Sequence, residues 1–239
     1  MNRVVQPKSV EQPVGPVVDA APAQRPGAVA LEGRFGRVEK LDPARHASDL
    51  WRAFGADERL WTYMFYGPFP DAGSFSIFLG KIAALEKQGY YAIVDRDGRA
   101  AGWAALIEIR PQPRVIEVGS IVYGPALQRT ALATEAQYLL ARYAFETFGY
   151  RRYEWKCDAL NAPSRRAALR FGFTFEGIFR QHMIIKGKNR DTAWFAMLDS
   201  EWPRARSAFE RWLQPENFDN GRPRYSLEAI RNSLEGIVS

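Results

Sequence analysis

The chain has 239 residues, 46% hydrophobic, 25% charged and 13% aromatic, and its 33 Lys and Arg exceed 27 Asp and Glu for a formal charge of +6. That length suits one good-sized core with tails better than two full domains. One cysteine, Cys157, and two histidines, His46 and His182, exclude an intramolecular disulfide framework, argue against a Cys- or His-rich metal centre, and fit a reducing cytoplasm.

Residues 1–30 carry only short valine pairs broken by Pro7, Pro13, Pro16, Pro22 and Pro26. They lack the unbroken apolar stretch of a secretory signal and read as a flexible proline-rich leader. No window approaches the roughly 18 apolar residues that span a bilayer, so a cytoplasmic protein without membrane contact is expected. Alternation over 33–41 predicts a first strand. Asp42-Pro43 then starts a helix with Leu50, Trp51 and Phe54 on its apolar face. An aromatic stretch follows, with Trp61, Tyr63, Phe65, Tyr66 and Phe69 within ten residues, and a second helix is predicted over 71–88. Strands at 90–94, 101–109 and 115–123 form a meander around the turn Asp95-Arg96-Asp97-Gly98. A long helix over 130–148, a strand over 153–157 and a short basic helix over 161–171 closed by Gly172 come next. A strand pair around a turn at 186–191 and a helix over 200–213 complete a domain spanning 31–213. In the tail, 214–239, Leu227, Ile230 and Leu234 mark a small amphipathic helix. The order βααβββαβαββ plus C-terminal helices describes a mixed α/β domain rather than a doubly wound one.

Chemistry concentrates where the strand ending at Tyr123 passes through a small-residue turn into the long helix. The first amides of a helix have no intrahelical acceptor, and its dipole is positive there, so such an end binds phosphate. Ala131 and Ala133 would let an anion approach the backbone; an ordinary helix start is the plainer alternative. The order Gln128-x-x-Ala131-x-Ala133 resembles the acyl-CoA pyrophosphate loop of the GNAT superfamily of N-acetyltransferases. The run Ala131-Leu132-Ala133-Thr134-Glu135-Ala136 is similar to the branch that acetylates ribosomal-protein N-termini. Asn161-x-x-Ser164, Phe171-Gly172-Phe173 and Asp191 ahead of Glu201-Trp202 match that branch in spacing. The resemblance covers about 33–213, and the family uses the same element order, a mostly antiparallel twisted sheet flanked by helices.

The resemblance implies an acetyl-CoA-dependent N-acetyltransferase in which a primary amine, of a protein N-terminus or a small molecule, attacks directly without a covalent enzyme intermediate. It implies cofactor contacts from the backbone of Gln128, Arg129, Thr130, Ala131, Leu132, Ala133 and Thr134. Strand-edge pairing of pantetheine with Ile121, Val122 and Tyr123 and a side-chain contact from Asn161 follow from it too. Between Gln128 and Gly172 eight positive residues face four negative ones, and Arg165, Arg166 or Arg170 would meet the ribose phosphate. Ala131 stands in place of the family's central glycine, which is tolerable if the backbone there is right-handed helical. Ala168 stands where many relatives carry an acidic tyrosine, leaving Ser164 as the substitute at the thiol; a helix cap is its plainer role.

Glu117 is the best candidate base, a mid-strand carboxylate between Ile116 and Val118 whose burial would raise its pKa. A salt-bridged strand glutamate is the bland reading, and Glu108 or a water chain are rivals. Trp61, Tyr63, Tyr66 and Trp155 are candidates for the acceptor side, where aromatics can surround an amine, or else pin a long loop to the core. Cys157 reads as a packed thiol and His182 as structural. A non-catalytic acyl-CoA-binding or regulatory module is the alternative function. Nucleic-acid binding lacks a motif. A homodimer is compatible with the family, with the segment 227–234 as one possible interface.

Overall fold

The computed structural model describes residues 12–54 and 57–234. Residues 1–11 of the proline-rich leader and 235–239 of the tail lie outside the described residues. Eight strands form one sheet: β1 (Ala30–Glu32), β2 (Gly36–Lys40), β3 (Gly89–Asp95), β4 (Ala100–Arg110), β5 (Val115–Tyr123), β6 (Arg152–Asp158), β7 (Thr174–Ile185) and β8 (Lys188–Leu198). Their order is β1-β2-β3-β4-β5-β6-β8-β7. Every neighbouring pair is antiparallel except β5 and β6.

Both faces of the sheet are covered, so its central strands are apolar on both sides. Tyr90, Ala92 and Val94 of β3 with Trp103 and Ala105 of β4 pack under α1 (Pro43–Phe54) and α2 (Ala72–Ala83). The alternate residues Tyr91, Ile93, Ala104 and Leu106 join a larger core with α3 (Ala131–Arg142), α4 (Ala162–Phe171) and α5 (Trp202–Trp212). Helix α3 is buried from Leu132 to Ala141 on all sides, which requires partners for its polar residues. Glu135, 3% exposed, accepts the backbone N–H groups of Arg34 at 2.5 Å and Phe35 at 2.7 Å. Gln137 donates to the Tyr123 hydroxyl at 2.6 Å.

Glu135 explains one departure from the sequence reading. Of the single strand expected over 33–41, residues 36–40 are β2 and 33–35 form the turn of a hairpin with β1, held by that carboxylate. Gly33 is required there, because a Cβ would collide with the Glu135 carboxylate. The helix expected over 130–148 is α-helical only to Arg142 and then widens into one π turn, Tyr143–Thr147. Helix α2 closes at Ala83, where the Ala84 amide turns back to the Gly80 and Ile82 carbonyls. The hairpin turn expected at 186–191 shrinks to Lys186-Gly187, with Lys188 to Asp191 inside β8.

The stretch expected to be a flexible leader is anchored in part. The Ala23 amide bonds to the Pro111 carbonyl at 3.1 Å, and Tyr150 and Tyr91 donate to the carbonyls of Gln24 and Gly27 at 3.0 and 2.9 Å. Helix α6 (Leu227–Ser233) packs on its own chain: Leu227 and Leu234 are buried, and Arg231 donates to the Arg170 and Leu169 carbonyls at the end of α4. Those leucines are therefore spent within the chain rather than offered to an interface.

Replacing Glu135 by Ala strands two amides in a partly buried turn, at a cost of roughly 3 kcal/mol. For a chain of this size that corresponds to a fall of roughly 6–12 °C in Tm. Thermal unfolding of Glu135→Ala followed by circular dichroism measures it, and a fall below about 2 °C contradicts this role.

Candidate active site

The site begins with a break in the sheet. Strands β5 and β6 pair only at Val115–Arg152, Ile116–Tyr153 and Glu117–Glu154, although they continue to Tyr123 and Asp158. The cause lies in β5. Its register against β4 shifts between Trp103 and Ala105, and Ser120 takes a left-handed φ of 51°. Such a bulge bends the strand and reverses its alternation. Before it, Ile116 and Val118 face the α3 core; after it, Val122 faces the α1 core while Ile121 and Tyr123 pack toward α3. Beyond Glu117 the two strands part.

On the α3 side, Gln128 donates to the Tyr123 carbonyl at 3.0 Å and Arg129 takes a φ of 63°, turning the chain into α3. Thr130 caps the helix by accepting the Ala133 amide at 3.1 Å. Among the described residues the amides of Ala131 and Leu132 have no hydrogen-bond partner. Ala131 is the first helical residue and has no positive φ, so its Cβ imposes no strain. Arg170 of α4 donates to the Thr134 hydroxyl at 3.1 Å, placing a guanidinium at the first turn of α3. Burial, and then Arg231, lower its pKa. Across the opening, Asn161 caps α4 by accepting the Ser164 amide at 3.1 Å. The Ser164 hydroxyl accepts the Trp155 indole N–H at 3.0 Å and its proton has the Cys157 thiol as a neighbour, a lowering effect on that thiol smaller than the raising effect of burial. Arg165 donates to the Ala159 carbonyl at 3.3 Å.

The opposite face carries the charges. Glu117, 5% exposed, meets Lys156 Nζ at 2.8 Å; Lys156 in turn lies 3.2 Å from Glu154 and over the Trp194 ring. Glu154 is held further by Arg110 and Arg152. Burial pushes the Glu117 pKa up to about 7, against the lowering pull of Lys156 and with the charges of Glu154 and Glu108 adding to the rise. Glu154, also buried, is nonetheless held below the usual carboxylate range by Arg152, Lys156 and Arg110. Gly119 makes room for this group, since a Cβ there would press on Ile107 and Glu117.

Over this face lies the aromatic loop, tied down at several points. Tyr66 shares a hydrogen bond with Ser120 at 2.9 Å, and Tyr63 donates to the Leu160 carbonyl at 3.2 Å. From the β7–β8 turn, Lys186 donates to the carbonyls of Trp61 at 2.8 Å and Tyr66 at 3.1 Å. Trp61, 5% exposed, locks the loop into the α1–α2 core against Phe54, Phe69 and Phe75.

A family model described as an acetyltransferase (GNAT) domain matches residues 38–174. The chain belongs to the GNAT family. It is 45% identical to a solved GCN5-related N-acetyltransferase from Brucella melitensis, with a TM-score of 0.87 over 90% of this chain and 99% of that one. A probable acetyltransferase of the GNAT family from Chromobacterium violaceum is 39% identical, with a TM-score of 0.76 over 81% of this chain and 98% of that one. The uncharacterized N-acetyltransferase YnaD of Bacillus subtilis is 32% identical over 82 residues, 34% of this chain. The match spans about half of that curated relative, 48% of its length.

Of the residues singled out from the GNAT resemblance, Ile121, Tyr123, Gln128 to Thr134, Asn161, Ser164 and Arg170 gather along the α3–α4 side of the opening, while the Val122 side chain is buried toward α1. Glu117, Tyr63 and Tyr66 lie on the other face, because Glu154 and Trp155 are successive residues of one strand. Trp155 is 5% exposed and packs against Phe171 and Phe173, so it touches the site only through Ser164. Cys157 is buried, which raises its thiol pKa. His182 shares a hydrogen bond with Thr192 at 2.9 Å. Ser120 and Lys186 escaped the sequence reading, which set Lys156 beside Glu154 and Trp155 on the acceptor side without pairing it with Glu117. The signal for Lys156 was its i+2 spacing from Glu154, which becomes informative only once Glu117 is registered against Glu154.

In a carbon-detected NMR titration the Glu117 carboxyl should show a midpoint near 7, and Lys156→Met should move it upward by removing the neighbouring positive charge. A wild-type midpoint below about 5 contradicts this electrostatic description.

Proposed function

We propose that this protein transfers the acetyl group of acetyl-CoA to a small primary amine by direct attack, through the opening between β5 and β6. The observation that carries the reading is that this opening joins two chemically different faces. One has unpaired amides, a guanidinium and a hydroxyl; the other has a buried carboxylate beneath a fixed aromatic loop. A polyanionic nucleotide fits the first: the amides of Ala131 and Leu132, aided by the helix dipole and Arg170, would hold the pyrophosphate, and the freed edge of β5 at Ile121 to Tyr123 would pair with pantetheine. Asn161, Arg165 and Arg166 border that side. Acetyl-CoA would supply the acetyl group activated as a thioester.

Glu117 takes the proton from the incoming ammonium, a task for which a pKa near 7 suits it. Lys156 keeps a fraction of it ionised at neutral pH and orients it. Ser164, with the Trp155 N–H filling one lone pair, would donate a hydrogen bond to the thioester sulfur on the opposite face, and the thiolate released as the C–S bond breaks would take up the second amine proton. The tied-down loop favours a small amine over an extended polypeptide, because Tyr63 and Tyr66 are anchored to Leu160 and Ser120 rather than free to line a groove. A non-catalytic acyl-CoA module is favoured by one observation, the Glu117–Lys156 ion pair, and would never release free thiol.

Free-thiol release from acetyl-CoA against a panel of small amines and short peptides tests this. Small amines should release CoA faster than peptides, and no release above hydrolysis refutes catalysis. Glu117→Gln should lower kcat about 100-fold or more and Ser164→Ala about tenfold, with CoA affinity by calorimetry within about threefold in both. Because the carboxylate form accepts the proton, the wild-type rate should rise as pH climbs through about 7, and Glu117→Gln should lose that limb.

A further inference from the structure

Arg190, near the start of β8, is a buried charged group on the Glu117 face that this chemistry leaves unused. Alternation along β8 puts it on the side of Thr192 and Trp194, which pair with Asp158 and Lys156 of β6. It is 7% exposed, and its guanidinium lies under the aromatic loop, 4.9 Å from the Phe65 ring centre. A buried guanidinium is expected to be matched by a carboxylate, since an unmatched one is costly. Among the described residues Arg190 makes no side-chain hydrogen bond or ion pair, and its Nε is buried without a partner. Its neighbours on this face behave differently: Glu117, Glu154, Lys156, Arg110 and Arg152 are all paired. The charges of Asp158 and Glu117 are near enough to be felt at Arg190, yet neither lies within ion-pair distance.

We propose that Arg190 is the receptor for a carboxylate on the acceptor, so that the amine acetylated at Glu117 belongs to a small molecule carrying its own carboxylate, of the amino-acid or ω-amino-acid class. This rests on the acetyl-transfer reading above. The planar guanidinium fork matches a carboxylate in two parallel hydrogen bonds. A phosphate dianion suits the place less well, because Asp158 and Glu117 add negative charge and one guanidinium cannot offset both. With its amine toward Glu117 and its carboxylate toward Arg190, the acceptor bridges two groups that are too far apart to bridge each other. The loop above, held by Lys186 and Tyr66, excludes the water that would weaken the pair.

The test compares glycine, β-alanine and 4-aminobutyrate with their methyl esters, by thiol release and by direct calorimetric binding, in the wild type, Arg190→Gln and Arg190→Lys. At least one free acid should exceed its ester by about tenfold or more in kcat/KM. Arg190→Gln should bring that ratio to within about threefold of one, with Arg190→Lys in between. Esters equal to acids in the wild type overturn the proposal without any variant having to fold. So does an equal loss on acids and esters in Arg190→Gln. Acids that bind in an Arg190-dependent way without thiol release uphold the carboxylate site and overturn the acetyl-transfer reading. Thiol release with no preference for acids does the reverse, and neither binding nor release overturns both.

Discussion

The structure turns on a hydrogen-bond ladder that stops. Two parallel strands that could pair along their length do so for three residues and then separate. Unpaired strand edges inside a domain leave amides and carbonyls without partners, so a fold keeps such a gap only where something maintains it. Here the maintaining element is the bulge at Ser120, with its left-handed φ and two tyrosine hydroxyls, from Tyr66 and Tyr90, at 2.9 and 3.1 Å. The bulge reverses the alternation of β5, sends its last residues toward different cores, and opens a passage through the sheet at the one parallel pair among the described strands.

The remaining features arrange themselves around that passage. Helix α3 starts beside it with uncommitted amides, and α4 starts beside it with a capped Ser164. The face that α1 and α2 cover is an apolar core interrupted at its β2 edge by Glu39 and His46 and, beside the opening, by a patch of buried charge. That patch is tolerable because Glu117, Glu154 and Glu176 balance Lys156, Arg110 and Arg152 in a chain of ion pairs, whose buried members would be costly to break singly. The aromatic loop shields it, and its edge-on ring contacts, each worth about 1 kcal/mol, hold in a fixed position a long connection whose described residues include one short 3-10 turn, Glu58–Trp61.

Much of this was legible from sequence because it is written in local patterns. Helix starts at Thr130 and Asn161 and the stop at Gly172 rest on capping, and β3 to β6 read as short apolar runs between turn residues; both signals act over a few residues. Glu117 stood out for the same reason, a carboxylate amid apolar neighbours. What escaped depends on register and long-range approach. The hairpin at β1 and β2 exists because Glu135 reaches it from a hundred residues away. Lys186 and Arg190 sit in a segment that reads as an ordinary polar turn; only the folding of the hairpin beneath the aromatic loop gives them a place. Trp155 and Trp61 illustrate the converse, residues whose chemistry suggested contact with a substrate and whose size instead drew them into the core.

The most direct test of the central claim is a crystal structure of the protein with CoA. The account predicts pantetheine running between β5 and β6 beyond the Glu117–Glu154 pair, the pyrophosphate on the amides of Ala131 and Leu132, and the sulfur within hydrogen-bond reach of Ser164 with Glu117 on the far side of the opening. CoA bound elsewhere on the surface, or β5 and β6 closed into a continuous ladder in the complex, would contradict it.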